Sequence, residues 1–245
     1  MVILEAINVA KSYGGLKVLT DVNFQVNKGE ILGIIGPNGA GKTTFMNLIS
    51  CLTPITGGVI KYKGEVINNK KPYEIAKLGI ARTFQIVKPF TGLTVLENVM
   101  VGAFYGKNQV NSKKDAIKIA EESLEIVGLS EFKDKDPRIL PLAKRKKLEV
   151  ARALAMGPEL LLLDEVMAGL NPKELDEMLL EIKKLKEKGI TIIAIEHVMK
   201  AIMEISERIV VLHLGKKIAE GKPEEIVRNP QVIEAYLGSK YKMEE

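Results

Sequence analysis

The run GIIGPNGAGKTTF, residues 33–45, constrains this chain more than any other stretch. Gly36, Gly41, Lys42 and Thr43 stand in the G-x-x-x-x-G-K-[ST] spacing, directly after the apolar segment EILGII and directly before a segment of helical periodicity. A strand that ends in a glycine-rich loop and re-enters as a helix turns a row of backbone N–H groups inward. The helix N-terminus adds positive potential to that concavity. Such a cradle suits a polyphosphate. Gly36, Pro37, Asn38, Gly39, Ala40 and Gly41 line the loop, Lys42 reaches the β- and γ-phosphates, Thr43 can hold Mg²⁺, and Thr44 follows in the same turn. A glycine turn that precedes a lysine by chance needs neither the strand nor the helix, so both flanks favour a nucleoside triphosphate.

The rest of the pattern fits around that loop. Apolar periodicity predicts strands near 2–10, 18–26 and 30–35, a helix from about Lys42 to Cys51, a turn at TPITGG, and short strands from Val59 to Ile67. From about Thr94 to Gly157 the spacing becomes helical, as in DAIKIAEESLEIVGL, which reads as a helical insert. Strand character returns in ELLLLDE (159–165), TIIAIEH (191–197) and RIVVLHLGKKIAEG (208–221), with a helix over 172–188 and a short one after His197. Continuous apolar runs alternating with helices belong to strands buried on both faces of a mostly parallel sheet. With no internal repeat or obvious linker, the 245 residues read as one α/β domain carrying a helical arm.

Composition narrows the function classes. An apolar content of 46% provides for a sizeable core and argues against disorder. The 36 basic and 31 acidic residues are interspersed, and a net charge of +5 in that form is weak evidence for nucleic acid. Cys51 is the only cysteine, which excludes a disulfide framework or a cysteine zinc cluster and points to a reducing compartment; Cys51 itself reads as a small buried hydrophobe. MVILEAINVA meets Glu5 too early for a secretory signal, and no run approaches the ~18 apolar residues of a membrane span. Work at a membrane would therefore go through a partner.

Two further strands end in chemistry. LLLLDE carries Asp164 and Glu165 to the C-terminal end of a buried strand, where ligands sit in open α/β sheets. One acid there can simply enter a loop. Two acids, in a chain with a phosphate loop, are expected to be a Mg²⁺ partner (Asp164, through water) and a base that polarises the attacking water (Glu165). His197 ends a strand expected beside the phosphate-loop strand, so its imidazole can donate to a γ-phosphate, whereas His213 inside VVLHLG is assigned to structure.

LPLAKRKKLEVARAL (140–154) sets four consecutive basic residues, Lys144 to Lys147, beside an apolar stripe of Leu148, Val150, Ala151 and Leu154. Alone, such a run is more often a solvated face than an anion patch, and more often either than a catalytic part.

Taken in order, these motifs resemble the ATP-binding subunits of ABC transporters over nearly the whole chain. Tyr13 in KSYGG stands at that family's adenine-stacking aromatic, and RTFQ supplies Gln85 at its Q-loop glutamine, implied as both a metal ligand and a catalytic residue. Gly169, Leu170 and Asn171 in AGLNP fall at its D-loop. Leu140, Pro141, Leu142, Ala143 and Lys144 fall at its signature LSGGQ, whose helix N-terminus faces the ATP of a second subunit. LPLAK lacks the serine hydroxyl and both glycines of that signature. The implied fold is α/β, a P-loop NTPase of ABC type with a mostly parallel core sheet, an antiparallel β region and a helical subdomain. Its expected organisation is a single domain, 1–85 and 158–245 being core and β region and 86–157 the helical insert.

Within the family, ARTFQ, LTVLENVMVG, the LP variant, LLLDEVMAGLNP, IEHVMK and AYLG are most similar to the subunit that energises branched-chain amino-acid uptake. A relative with similar motifs powers lipopolysaccharide export, and a soluble nucleic-acid-associated ATPase is a third reading. The resemblance implies ATP and Mg²⁺ as ligands. The implied partners are a second ABC ATPase subunit, identical or paralogous, two transmembrane permease subunits, and indirectly a solute-binding protein, with no nucleic acid. The place of work is then the cytoplasmic face of the cell membrane, peripherally.

Overall fold

A computed structural model describes residues 1–237; Gly238, which closes AYLG, lies outside the described residues. Along the chain run β1 (Val2–Tyr13), β2 (Leu16–Asn27), β3 (Ile31–Ile35), α1 (Lys42–Ile49), β4 (Gly57–Tyr62), β5 (Glu65–Val66), α2 (Pro72–Leu78) and β6 (Ile80–Arg82). There follow α3 (Val95–Tyr105), α4 (Lys113–Ile126), α5 (Leu142–Ala155), β7 (Leu160–Asp164), α6 (Pro172–Glu187) and β8 (Thr191–Ile195). The chain continues through α7 (Met199–Ile205), β9 (Arg208–His213), β10 (Lys216–Gly221), α8 (Pro223–Ile226) and α9 (Pro230–Leu237). It divides into two compact units, one made of 1–70 with the segment from Thr191 onward, the other of 71–190.

In the first unit, β2, β1, β4 and β5 form an antiparallel sheet in that order. Its β3 lies between β8 and β9, parallel to both, and β10 closes on β9 as an antiparallel hairpin. Every residue of β3 and of β8 is buried, as expected of strands covered on both faces. The start of β3 is pinned by polar groups: Glu30 pairs with Arg208 at 2.6 Å, and the Gly29 N–H donates to Thr191 Oγ1 at 2.9 Å. Cys51 departs from expectation. It is half-buried, in a left-handed conformation (φ 52°) past the end of α1, with its thiol on Ile67 O at 3.2 Å.

In the second unit, β6 and β7 pair in parallel, with Ile80 opposite Leu160 and Arg82 opposite Leu162. From Thr94 to Gly157 the structure is helices and turns without a strand, as the spacing predicts. The helices begin where capping chemistry places them. Thr94 Oγ1 accepts from the Glu97 N–H while Glu97 returns a carboxylate to the Thr94 N–H, and Ser112 and Asn171 cap α4 and α6. The inward face of α4, Ala116, Ala120, Ser123 and Leu124, has the spacing of one helical side, and α4 packs with α3 and α5. Neither α2 nor β6 was anticipated by the periodicity. No helix among the described residues is long and apolar enough to cross a membrane.

Candidate active site

The phosphate loop leaves β3 at a glycine that no other residue replaces. Gly36 has φ 152°, and a Cβ there would lie 2.0 Å from Leu212 O in β9. Helix α1 then begins at Lys42 with no side-chain cap and no acidic residue in its first turn, which leaves its N–H groups and positive potential available to an anion. The buried Lys42 ammonium donates to Gly36 O at 2.6 Å and Pro37 O at 3.0 Å, and so sits within the loop it serves. Asn38, Gly39 and Thr43 are exposed, Pro37 and Thr44 half-buried, Ala40 and Gly41 buried.

Strand β8 does lie beside β3. Ile195 pairs with Ile34, and the exposed His197 and Gly36 each follow two residues beyond that pair. His213 ends β9 opposite Lys216, as a structural residue would. Tyr13 closes β1 half-exposed, with the Lys11 ammonium 4.6 Å from its ring centroid.

In the second unit, β7 delivers Asp164 and Glu165 as expected, both buried. Asp164 is tied more firmly than the sequence reading allowed. Its Oδ2 pairs with Arg82 Nη2 at 2.7 Å, and its N–H donates to Thr83 Oγ1 at 3.1 Å. The other oxygen, Oδ1, is buried without a hydrogen-bond partner. A carboxylate oxygen so placed is suited to a hard cation such as Mg²⁺ or to its water. Groups of three or more His, Cys, Asp or Glu able to hold a metal do not occur among the described residues. Glu165 adopts φ 54°, and its Oε2 accepts from Gln85 Nε2 at 2.7 Å. Gln85 and Glu165 are thus brought together across 80 residues of sequence.

The basic run is not a solvated face. Arg145 donates to Leu140 O and Arg138 O, both at 2.7 Å, and Lys144 lies 3.4 Å from the Phe132 ring centroid. Lys146 is 5% exposed, and Lys147 pairs with Glu181 at 2.7 Å and Glu177 at 3.2 Å. Burial pushes the Glu181 carboxyl up, against the pull of Lys147. Helix α5 begins at Leu142, and Pro141 precedes it with no side-chain cap. Leu140 and Ala143 are buried, Pro141 and Leu142 exposed, Lys144 half-buried. Gly169 lies against Leu142, since a Cβ on it would be 3.4 Å from Leu142 Cδ2; Leu170 is half-buried, and Asn171 caps α6.

Three residues that sequence reasoning missed organise these segments: Arg82 on Asp164, Lys146 beneath Glu165, and Asn98. The fully buried Asn98 accepts from the Phe90 N–H at 2.7 Å and donates to Phe90 O and Leu93 O at 3.2 and 3.3 Å, which holds the loop after Gln85. Arg152 braces the same loop, donating to Lys88 O at 3.2 Å and lying 4.6 Å from the Phe90 ring centroid. Ile86 and Phe90 remain exposed on it.

Comparison with known proteins agrees with this geometry. Residues 19–168 match the ABC transporter family, and residues 216–242 match the branched-chain amino acid ATP-binding cassette transporter family. The chain is 40% identical to the high-affinity branched-chain amino acid transport ATP-binding protein BraF of Pseudomonas aeruginosa, over 96% of this chain and 98% of that protein. It is 40% identical to LivG of Escherichia coli, of the same description, over 92% and 94%. A nucleotide-free ATP-binding cassette from an ABC transporter superposes with a TM-score of 0.88 at 32% identity, covering 97% of this chain and all (100%) of that one. A dimeric, post-hydrolysis cassette bound to ADP and Pi gives 0.82 at 30% identity, covering 90% and 99%. A strand–loop–helix for phosphate, paired carboxylates after a buried strand and near full-length likeness at this identity have one common account: the chain belongs to the ABC transporter ATP-binding proteins, as the ATP-binding motor subunit of the branched-chain amino-acid group.

Proposed function

We propose that this ATPase energises uptake of branched-chain amino acids; BraF and LivG are named as branched-chain amino acid transport ATP-binding proteins. The whole chain works as one ABC ATPase domain, 1–85 and 158–245 forming core and β region and 86–157 the helical insert. It closes head to tail on a second ABC ATPase subunit, and the closure drives two transmembrane permease subunits fed by a solute-binding protein. It acts at the cytoplasmic face of the membrane.

The observation that carries this reading is the pair of buried carboxylates Asp164 and Glu165, with Gln85 donating to Glu165 at 2.7 Å. Residues 36–44 cradle the triphosphate and Tyr13 stacks on the base; Thr43, Asp164 and Gln85 would hold Mg²⁺, which would supply positive charge against the phosphates. Glu165 takes a proton from the water as its oxygen bonds to the γ-phosphorus and the bond to the bridging oxygen breaks, leaving ADP and phosphate. Gln85 orients that water, and His197 donates to the γ-phosphate. The uncapped start of α5, with Lys144, offers N–H groups and positive potential to the partner's ATP. The missing signature hydroxyl weakens that contact by about 1 kcal/mol. Gly169, Leu170 and Asn171 face the partner at the D-loop, and exposed Ile86 and Phe90 line the groove for a permease helix.

The test is reconstitution of the chain with the permeases that co-purify from membranes, followed by ATP-driven uptake of radiolabelled leucine, isoleucine and valine. Uptake of these and not of unrelated amino acids is expected. ATP turnover coupled to another solute would overturn the substrate assignment and leave the ATPase intact.

A further inference from the structure

Glu165 stands in a conformation that a residue with a side chain rarely holds, φ 54°, and such a residue persists only where its surroundings over-determine it. The turn it begins is weakly closed by its own backbone, since the Ala168 N–H reaches Glu165 O at 3.4 Å. What closes it is a side chain from another element. Lys146 Nζ donates to Glu165 O at 2.9 Å and to Ala168 O at 2.5 Å, so one buried ammonium binds both ends of the turn. Lys146 lies in the first turns of α5, the helix that opens with Leu142 and Ala143. Leu142 in turn touches Gly169, the residue after Ala168.

We propose that Lys146 is a positioning residue for ATP hydrolysis: its ammonium clamps the turn from Glu165 to Ala168 and so sets the direction of the Glu165 carboxylate. Because the clamp rides on α5, a displacement of the signature segment moves the base of the same chain. This rests on the proposed role of Glu165. Charge burial supports it, since an ammonium that met no specific acceptors would not be retained in the interior.

The experiment compares the purified full chain with Lys146→Met, Lys146→Gln, Glu165→Gln and the double variant Lys146→Met/Glu165→Gln, reading steady-state ATPase rate and the dissociation constant of a fluorescent ATP analogue. Lys146→Met is expected to lower kcat at least tenfold with nucleotide affinity within twofold of wild type. Lys146→Gln, which keeps a donor, is expected to recover part of the loss. In the Glu165→Gln background, Lys146→Met should change the residual rate less than twofold, because the lysine acts through the glutamate. A wild-type kcat in folded Lys146→Met overturns the proposal, as does an equal loss in both backgrounds, which would mean a purely structural role. If Lys146→Met does not fold, Lys146→Gln decides: wild-type kcat overturns the proposal, and a threefold or larger loss at unchanged affinity supports it. Undiminished hydrolysis by Glu165→Gln sinks the base assignment itself and is recognised separately.

Discussion

Replacing Arg82 by Leu should destabilise this protein strongly. Arg82 and Asp164 form an ion pair at 2.7 Å with side chains 6% and 2% exposed, and the other Asp164 oxygen has no partner. Removing the arginine therefore leaves an interior carboxylate without its ion-pair partner. Breaking one side of such a pair costs about 3–5 kcal/mol. For a chain of this size each kcal/mol lowers Tm by roughly 2–4 °C, giving a drop of about 6–20 °C. The stacking of Arg82 on Phe84, 5.3 Å from guanidinium to ring centroid, is lost as well, but Phe84 is exposed and that term is only about 0.5–1 kcal/mol. Adding Asp164→Asn removes the stranded charge, so the double variant should be more stable than Arg82→Leu alone, with a coupling of about 2 kcal/mol or more. Urea unfolding of the four proteins without nucleotide measures the cycle. A loss below about 1 kcal/mol in Arg82→Leu, or no coupling, would refute the argument that the pair is interior and mutually dependent.

Gly36→Ala should abolish ATP binding or folding, because the added methyl lies 2.0 Å from a backbone oxygen; nucleotide titration alongside circular dichroism separates the two. Burial raises the Glu149 carboxyl, with Arg152 and the Lys88 backbone pulling it down. Its folded pKa thus exceeds its unfolded one, and its contribution to stability is full below the unfolded pKa and lost as pH rises through the folded pKa. The stability difference between Glu149→Gln and wild type should therefore shift in the variant's favour from pH 4 to pH 7, and a shift the other way contradicts the assignment. Ile86→Glu with Phe90→Glu should end co-sedimentation with permease-containing membranes while ATP affinity stays within twofold; retained sedimentation places the groove elsewhere.

The strands that carry the chemistry were legible because each is apolar at nearly every position: β3, β7 and β8 are buried throughout, and their ends present Gly36, Asp164 and, two residues beyond, His197. Helical spacing marked the stretch from Thr94 to Gly157, which holds α3, α4 and α5. What escaped was short or buried against expectation. β6 has three residues and α2 seven, too few for a period to emerge. Arg82, Lys146 and Lys147 carry charges that composition assigns to the surface, and they are interior because each meets a carboxylate or carbonyls contributed by residues 19 to 82 positions away. Such long-range pairing leaves no periodic trace. Asn98 is similar: nothing in LTVLENVMVG distinguishes the asparagine that holds the Phe90 loop from one facing solvent.

The central claim is that Glu165 is the base of an ATP hydrolase that works as a dimer. Its most direct test is single-turnover hydrolysis of Mg-ATP by wild type and Glu165→Gln, with molar mass measured by light scattering on the same samples. The account predicts that the variant binds ATP, hydrolyses it at least a hundredfold more slowly, and elutes as a dimer that returns to monomer when ATP is removed. Hydrolysis at the wild-type rate from an unchanged monomer would contradict it.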